Sequence, residues 1–255
     1  MTVIPPKAVL VTGAARRIGR AIASDLAEAG FAVAIHANRN AEEAEALAAT
    51  LRQNGAVAAA VTANLEVPLE AGELLANAQA AIGPIGVVVN NASVFVADEA
   101  DRFDETLFDR HFAVHVKAPL AISAAFASIG ESNGGLIVNI IDQRVWALTP
   151  RFFSYTLSKS ALWTATQTMA QAFAPRGIRV NAIGPGPTLA NERQDTADFA
   201  AQTKSVPLGY GPDLPDFGRT IRYLFDTPSI TGQMIALDGG QHLAWETPDV
   251  VNARE

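Results

Sequence analysis

Tyr155 and Lys159 form the side-chain pair with the clearest chemical potential in the sequence. They are four residues apart at the start of a segment with an apolar pattern, residues 161–173. Residues at positions i and i+4 lie on one face of a helix, so the phenol and the ammonium group can converge on one point. A neighbouring cation favours the ionised phenol and lowers its pKa, which makes tyrosine a usable proton donor. The pair predicts proton transfer, although the same spacing alone also suits a structural tyrosine.

A glycine-containing turn precedes a predicted helix near the start of the chain. Gly13 and Gly19 follow an apolar run at residues 8–11. Gly13 permits a tight turn, Gly19 permits close packing of helix on strand, and the free N–H groups of the helix N-terminus can bind a pyrophosphate. A glycine pair alone fits a structural turn equally well. Arg16 and Arg17 crowd this turn of an acidic protein, which favours a nucleotide site.

The second apolar run ends in His36-Ala37-Asn38-Arg39, which contains no carboxylate. Sites for NAD usually present an acidic residue to the adenosine ribose about 20 residues past the glycine turn. An arginine at this place can pair with a 2′-phosphate, which an aspartate would repel. The sequence therefore favours NADPH over NADH. The alternative is that Arg39 is an ordinary surface residue.

The elements that must position these residues are short apolar runs alternating with longer segments of helical spacing. The runs occupy residues 8–11, 31–35, 57–61, 85–89, 136–141, 178–183 and 234–237. Near-continuous hydrophobicity is typical of strands buried on both faces of a parallel sheet. Strict alternation of strand and helix implies right-handed crossovers and a covered sheet. We predict an α/β fold with a single doubly wound parallel sheet, helices on both faces, and one domain over residues 1–255.

Two segments between the runs have distinct compositions. Residues 41–53 are rich in alanine, glutamate and leucine and end in Asn54-Gly55, which predicts a helix with a C-cap. Residues 191–215 mix proline and glycine with a helix-like stretch at 195–204. Because doubly wound sheets bind ligands at the carboxyl ends of their strands, a long excursion there is a candidate substrate lid.

The composition excludes several classes of function. The 255 residues include no cysteine, so disulfides, cysteine-ligated zinc or iron–sulfur centres and a thiol nucleophile are excluded, and we predict no metal site. The net charge of −7 argues against a broad surface for nucleic acid or anionic membranes. We see no export signal and no uninterrupted apolar stretch long enough to span a bilayer, so we expect a cytoplasmic protein that acts on a small molecule.

Taken together, the motifs resemble the short-chain dehydrogenase/reductase superfamily. Their order along the chain is Thr12-Gly13…Gly19, Asn90-Asn91-Ala92, Tyr155-x-x-x-Lys159 and Pro185-Gly186, followed by the terminal stretch 230–240. The resemblance covers nearly the whole chain. It implies a Rossmann fold, a nicotinamide cofactor and a homotetramer.

Departures from the commoner superfamily pattern narrow the resemblance. Most relatives have glycine where this chain has Arg17, and serine where it has Asp142, 13 positions before the tyrosine. With the His36–Arg39 loop and Asn91-Ala-Ser-Val-Phe95, these residues resemble the pteridine reductases and the related dihydromonapterin reductases. The resemblance implies that Ser93 and Arg17 contact cofactor phosphate and substrate, and that Phe95 stacks on the pterin ring.

Asp142 has a physical interpretation of its own. A serine hydroxyl can donate to a carbonyl oxygen, whereas an ionised carboxylate only accepts hydrogen bonds and would be repelled by an oxyanion. A plain ketone is therefore disfavoured as the main substrate. A carboxyl group suits a ring with N–H donors, or reduction of a C=N bond in which nitrogen must be protonated. The alternative is a carboxylate satisfied by local N–H groups.

Two further departures concern residues that the superfamily uses near its cofactor. His115 stands where the family usually has an asparagine that holds a water in the proton relay, and it could serve that relay or merely pack. Asn64 replaces the expected adenine-contacting aspartate. Arg144 and Arg151 flank the approach to Tyr155 and could attract an anionic tail or face solvent.

The sequence thus predicts an NADPH-dependent reductase of a pterin-like substrate such as a dihydropterin or dihydrofolate. The predicted catalytic residues are Asp142, Tyr155 and Lys159, and the predicted substrate contacts are Arg17, Phe95, Asp142 and Tyr155. The predicted contacts to NADPH are Gly13, Arg16, Arg17, Ile18, Gly19, His36, Asn38, Arg39, Asn64, Leu65, Asn91, Ala92, Ser93, Tyr155, Lys159, Pro185, Gly186 and Thr188. One alternative is an NADP-dependent carbonyl or alcohol oxidoreductase of the same superfamily; another is a non-catalytic regulator that senses NADPH.

Overall fold

Seven parallel strands form one sheet, in a computed structural model that describes residues 5–129, 134–190 and 194–246. The strands are β1 Ala8–Val11, β2 Ala32–Ala37, β3 Ala58–Thr62, β4 Val87–Asn90, β5 Gly135–Ile140, β6 Ile178–Pro185 and β7 Met234–Leu237. Their order across the sheet is β3-β2-β1-β4-β5-β6-β7. Each predicted apolar run therefore supplies one strand, and the predicted doubly wound fold is confirmed.

Helices connect the successive strands. They are α1 Arg17–Glu28, α2 Ala41–Gln53, α3 Pro68–Ile82, α4 Glu105–Phe112, α5 Ala118–Ile129, α6 Phe153–Phe173, α7 Thr196–Lys204 and α8 Leu214–Asp226. Helix α2 has the predicted bounds. Helix α7 begins one residue after Asp195, because the Asp195 carboxylate caps it by accepting from the Asp198 N–H at 2.7 Å.

Alternate side chains of each strand enter opposite cores. Val9 and Val11 of β1 pack into the core beneath α1, α2 and α8, while Leu10 packs into the core beneath α3, α5 and α6. Successive strand residues point to opposite faces, so a strand covered on both sides must be apolar throughout. This is why the strands are continuous apolar runs without alternation.

The winding of the chain reverses at β1. This strand pairs with β2 on one side and with β4 on the other, so the connections that follow β1 and β4 leave the sheet in opposite directions. In doubly wound sheets such a reversal opens a crevice at the carboxyl ends of the strands. The segments that follow β1, β2, β3, β4, β5 and β6 carry the predicted functional residues to this edge.

Helices α4 and α5 are joined without a break by a π-helical turn, Ala113–Lys117. The continuous helix Glu105–Ile129 is long and apolar enough to cross a membrane by length and composition, although the sequence pattern suggested no such stretch. Ile122 and Phe126 of α5 are buried in the core that the sheet shares with α3 and α6. Part of the apolar surface of this helix is thus packed on the sheet.

Substitution of Phe217 by alanine tests the core beneath α8. Phe217 is fully buried, so we expect Phe217→Ala to lower the free energy of unfolding by about 3–5 kcal/mol, through lost burial and the cavity left behind. Tyr223 lies on the same helix with 53% of its surface exposed, so Tyr223→Ala is the matched control and should change stability little. Urea denaturation of both variants measures the difference. Equal losses would contradict the assigned orientation of α8.

Candidate active site

A cleft of about 1250 Å³ lies at the carboxyl edge of the sheet. It is lined by residues that follow β1, β2, β3, β4, β5 and β6, together with Phe199 and Gln202 of α7. Every site residue predicted from the sequence lines it: Gly13, Arg16, Arg17, Ile18, Gly19, His36, Asn38, Arg39, Asn64, Leu65, Asn91, Ala92, Ser93, Phe95, Asp142, Tyr155, Lys159, Pro185, Gly186 and Thr188. The structure therefore brings together residues that are up to 175 positions apart (188 − 13 = 175).

The turn after β1 leaves no space for larger side chains. A Cβ atom on Gly13 would lie 2.8 Å from Cα of Ala92, and one on Gly19 would lie 2.3 Å from the Gly13 carbonyl oxygen. Arg17 adopts φ +53°, a left-handed conformation that glycine adopts more readily than arginine. No side chain caps the first turn of α1, and that turn contains no acidic residue. Its N–H groups can therefore receive a phosphate.

Thr12 and Asn91 clamp this turn to the loop after β4. The Thr12 hydroxyl accepts from the N–H groups of Asn91 and Ala92 at 2.9 and 3.0 Å. In return, the Asn91 side-chain amide donates to the carbonyl oxygens of Thr12 and Gly13 at 2.9 and 3.1 Å. These reciprocal bonds fix the two loops that face each other across the reversal of the sheet.

His36 supports the glycine turn through a hydrogen bond to the backbone of Gly13. Its Nδ1 accepts from the Gly13 N–H at 3.1 Å, so Nε2 carries the proton and donates to the Ala63 carbonyl at 3.1 Å. Burial lowers the pKa of His36 to about 4 and keeps the ring neutral. Both nitrogens are thus used inside the protein, and contact with a cofactor is left to the carbon edge of the ring.

The arginines at the mouth of the cleft differ in their partners. Among the described residues, the exposed Arg39 makes no hydrogen bond or ion pair. Arg16 pairs with Glu43, and Arg16 holds the pKa of that carboxyl down to about 2. Arg17 reaches across the cleft and donates to the carbonyls of Leu189 and Ala190 at 3.2 and 3.0 Å. Of these three arginines, Arg39 is therefore the one best placed to receive a further anion.

Tyr155, Asp142 and Lys159 meet at the floor of the cleft, where α6 begins beside the end of β5. The Tyr155 hydroxyl donates to Asp142 Oδ2 at 3.0 Å, and Asp142 Oδ1 accepts from the Arg144 N–H at 2.9 Å. Lys159 Nζ donates to the Ile140 carbonyl at 2.9 Å and lies 5.7 Å from the centre of the Tyr155 ring. The pair shares one helix face, as its spacing predicts.

The electrostatic environment of Tyr155 corrects one sequence expectation. Burial and the adjacent Asp142 carboxylate hold the pKa of Tyr155 well above 10, whereas the spacing to Lys159 suggested a lowered value. Burial also raises the pKa of Asp142 and lowers that of Lys159 to about 8. The expectation was wrong for this arrangement because the sequence pattern shows neither the depth of the site nor the hydrogen bond to Asp142. Tyr155 is accordingly a protonated donor at neutral pH.

Aromatic rings form one wall of the cleft. Phe95 and Phe152 stack with ring centres 4.3 Å apart and planes 8° apart, so one face of Phe95 is covered by Phe152. The guanidinium of Arg144 lies 5.3 and 4.7 Å from these two ring centres, which places it beside the stacked pair. Phe152 adopts φ +58°, a strained conformation for a bulky residue.

His115 bridges the Ser93 loop and helix α6. Its Nε2 accepts from the Val94 N–H at 3.0 Å and lies 3.0 Å from Ser93 Oγ, and its Nδ1 lies 2.8 Å from Ser158 Oγ. The ring is buried. The sequence left two roles open for His115, a proton relay or packing. The structure shows that the ring is packed in the interior and also forms specific hydrogen bonds. None of these bonds is to Lys159.

Several residues that shape the site escaped the sequence analysis. They are His111, Ser154 and Ser158, and Thr12 was noted only as part of a motif. Ser154 and Ser158 precede Lys159 and flank Tyr155, and each bonds a histidine of the middle helix, His111 at 2.7 Å and His115 at 2.8 Å. The parallel four-residue spacing of the two serines and the two histidines is the one sequence signal that could have shown this contact.

The fold and the site together define a dinucleotide-dependent oxidoreductase: a doubly wound sheet with an uncapped glycine turn and a Tyr–Lys pair at its carboxyl edge. The chain belongs to the short chain dehydrogenase family, whose model matches residues 7–200. A short-chain type dehydrogenase/reductase of Picea abies is 31% identical over 250 residues and covers 92% of each chain. The resemblance to this family inferred from the motifs is confirmed.

Two solved structures are more similar still. The chain is 55% identical to FolM alternative dihydrofolate reductase 1 from Brucella canis, complexed with NADP, with a TM-score of 0.93 over 98% of this chain and 99% of that one. It is 57% identical to the Brucella suis protein of the same name in complex with NADP, with a TM-score of 0.93 over 98% and 100% of the two chains. These neighbours support the resemblance to pteridine and folate reductases.

The environment of His36 predicts a pH dependence of stability. Its pKa is about 4 in the folded protein against 6.5 when unfolded, so its contribution is complete above pH 6.5 and is lost as pH falls toward 4. The loss amounts to about 3 kcal/mol. We expect His36→Asn, which keeps an acceptor near Nδ1, to flatten the dependence of unfolding free energy on pH between 7 and 4. An unchanged slope in this variant, measured by denaturation at each pH, would contradict the assignment.

Proposed function

We propose that the protein is an NADPH-dependent reductase that transfers hydride to a pterin-like substrate, of the dihydropterin or dihydrofolate class. The observation that carries the proposal is the carboxylate of Asp142 hydrogen-bonded to the Tyr155 hydroxyl at 3.0 Å, in a cleft shared with Arg17 and Phe95. The similarity to two structures named alternative dihydrofolate reductase and complexed with NADP supports it.

The residues of the cleft fit NADPH. The tight turn at Gly13 and the uncapped first turn of α1 suit a pyrophosphate, and Arg39 suits the 2′-phosphate because no carboxylate stands beside it in the 36–39 stretch. The amide of Asn38 donates to Asn64 at 3.2 Å, which forms a polar rim for the adenosine end. NADPH held in this way would supply the hydride, and Lys159 would bind its nicotinamide ribose.

Tyr155 is the proposed proton donor. It is buried and protonated, and its hydroxyl opens on the cleft beside Asp142. Asp142 would accept from an N–H of the substrate ring, or receive and pass on the proton that a reduced C=N nitrogen requires. Lys159, a buried cation on the same helix face, favours the phenolate left on Tyr155. Each of these residues thus has a role at a stated atom.

The aromatic wall is suited to a flat substrate. Phe152 stacks on Phe95 with ring planes 8° apart, and a heteroaromatic ring would pack against the wall that the two rings form. Ser93 and Arg17, both in the cleft lining, would contact substrate and cofactor phosphate. Arg144 makes no side-chain hydrogen bond to any described residue and lines the cleft, so its guanidinium would donate to an acceptor on the substrate.

We also propose that residues 191–215 close over the substrate. Phe199 and Gln202 of α7 line the cleft, which supports this lid; residues 191–193 lie outside the described part of the chain.

We further propose that the protein is a homotetramer and is located in the cytoplasm. Exposed apolar side chains on α5 and α6, Leu120 and Leu157, are consistent with an interface there. The C-terminal stretch from residue 247 onward lies outside the described residues.

An activity assay tests the proposed reaction. We expect NADPH oxidation with a dihydropterin or with dihydrofolate, and a loss of about 100-fold or more in kcat for Tyr155→Phe, because a general acid contributes about 10²–10⁴-fold. Binding of NADPH, followed by fluorescence, should persist in the variant. Turnover of carbonyl compounds alone would favour the carbonyl reductase alternative, and NADPH binding without any turnover would favour the regulator.

The choice of cofactor depends on Arg39. Removing a charge-assisted bond to the 2′-phosphate should raise the KM for NADPH about 10- to 100-fold in Arg39→Ala, while the KM for NADH stays the same. Arg219→Ala is the matched control, since Arg219 lies on α8 and pairs with Asp216. Steady-state kinetics with both cofactors measure the preference. A parallel rise for NADH would show that Arg39 does not recognise the phosphate.

A further inference from the structure

Helix α6, which carries Tyr155 and Lys159, begins without a cap of its own. The residue before it, Phe152, has a left-handed conformation and makes no capping hydrogen bond with its side chain, and the first turn contains no acidic residue. The first N–H groups of a helix have no partner inside the helix and need acceptors from elsewhere. Because Tyr155 lies in this first turn, the group that accepts these N–H groups also fixes the segment that carries the proposed proton donor.

Asp98 supplies these acceptors from a distant part of the chain. Its carboxylate accepts from the Ser154 N–H, with Oδ1 and Oδ2 at 3.2 and 3.0 Å, and its backbone carbonyl accepts from the Phe153 N–H at 3.3 Å. A carboxylate at the N-terminus of a helix is favoured by the helix dipole as well as by its hydrogen bonds. Asp98 thus takes the place of an N-cap, although it lies 56 positions before Ser154.

Ser154 is also held through its side chain. Its hydroxyl lies 2.7 Å from Nδ1 of His111 on α4, and both residues are fully buried. The residue directly before Tyr155 is therefore fixed at its backbone by Asp98 and at its side chain by His111. Both of these partners come from the segment that runs from the end of β4 through α4.

The loop that contains Asp98 also carries part of the aromatic wall. Phe95 lies three residues before Asp98, and its ring centre is 4.8 Å from that of Tyr155, with the ring planes 74° apart. A backbone bridge between Glu99 and Arg151 attaches the same loop to the segment before α6. Asp98 is thus the point at which the wall proposed to receive a flat substrate is tied to the helix with the proposed proton donor.

We propose that Asp98 is a positioning residue for the reaction: by binding the start of α6, it sets the position of the Tyr155 hydroxyl relative to a substrate ring packed against Phe95. The inference rests on the proposed roles of Tyr155 and Phe95. Asp98 itself does not line the cleft, so it acts through these neighbours and exchanges no proton with the substrate. A displacement of about 1 Å between reacting groups can reduce a rate about 100-fold, so a modest shift of the helix start is enough to matter.

Alanine substitution of two aspartates that cap different helices tests this role. We expect Asp98→Ala to lower kcat about 10- to 100-fold at saturating NADPH, through misplacement of the Tyr155 hydroxyl. The KM for NADPH should stay the same, because Asp98 contacts neither the glycine turn nor Arg39. Asp98→Asn keeps a side-chain oxygen as acceptor and should restore most of kcat. Steady-state kinetics of each variant separate the effects on kcat and KM.

Asp104→Ala is the matched control for the loss of a helix cap. The Asp104 carboxylate accepts from the Leu107 N–H at 3.0 Å at the start of α4, and Asp104 does not line the cleft. Both alanine variants remove one capping carboxylate, so we expect a similar decrease in the midpoint of urea denaturation. Only Asp98→Ala should lower kcat, whereas Asp104→Ala should keep the wild-type value.

A measurement without turnover separates this inference from the proposed function. The chain has three tyrosines, two of which are more than half exposed. The ring of Tyr155 instead lies edge-on to the rings of Phe95, His111 and His115, with ring centres 4.8, 6.0 and 5.3 Å apart. Ring-proton chemical shifts of tyrosine-labelled protein, assigned with Tyr155→Phe, therefore report the position of this ring among its neighbours.

The two measurements together decide the role of Asp98. We expect the Tyr155 signals to move in Asp98→Ala and to stay in place in Asp98→Asn and Asp104→Ala. Unmoved signals in folded Asp98→Ala, or an equal loss of kcat in Asp104→Ala, would overturn the inference whichever substrate is reduced. If Asp98→Ala does not fold, Asp98→Ser, which replaces the carboxylate by a shorter hydroxyl, should show the same shift.

Failure of the proposed function gives a different result. If only carbonyl compounds are reduced, the proposed substrate is wrong, and kcat of the Asp98 variants is measured with those compounds. If no compound is reduced, the proposed reaction is wrong, and the Tyr155 signals alone decide whether Asp98 positions the ring.

Discussion

The parallel sheet whose winding reverses at β1 is the constraint on which the rest of the structure depends. Parallel strands need crossover helices, so all their carboxyl ends lie at one edge, and the reversal separates the loops that follow β1 and β4. Thr12 and Asn91 then hold these loops at a fixed separation through reciprocal hydrogen bonds. The cleft, the uncapped start of α1 and the approach to Tyr155 all follow from this arrangement.

Buried polar groups in the site are paired in ways that set their protonation. His36 and His115 are each held neutral by burial and by a backbone N–H that takes up one ring nitrogen. The same burial keeps Tyr155 protonated and lowers the pKa of Lys159 to about 8. The low dielectric of the cleft floor thus keeps the Tyr155 phenol neutral beside the buried Lys159.

Most of the fold was predictable because the apolar runs, the helical spacing between them and the glycine turn all indicate the same architecture. The seven apolar runs became the seven strands, and the helix at 41–53 was placed to the residue. The continuous helix through Ala113–Lys117 was less visible, since its π-helical turn and its packing on α6 depend on partners distant in the sequence. The same holds for the pKa of Tyr155, which burial raised against the local pattern.

The sequence by itself determined the alternation of strands and helices, the glycine turn, the absence of a carboxylate in 36–39 and the Tyr155–Lys159 spacing, because these are local properties of the chain. Only the tertiary structure decided that Phe152 covers one face of Phe95. It also decided that both ring nitrogens of His36 form hydrogen bonds inside the protein, and that His115 links Ser93 to Ser158. The physical reason is that hydrogen-bond direction and burial depend on atoms brought together from separate strands and helices, which no spacing along one segment encodes.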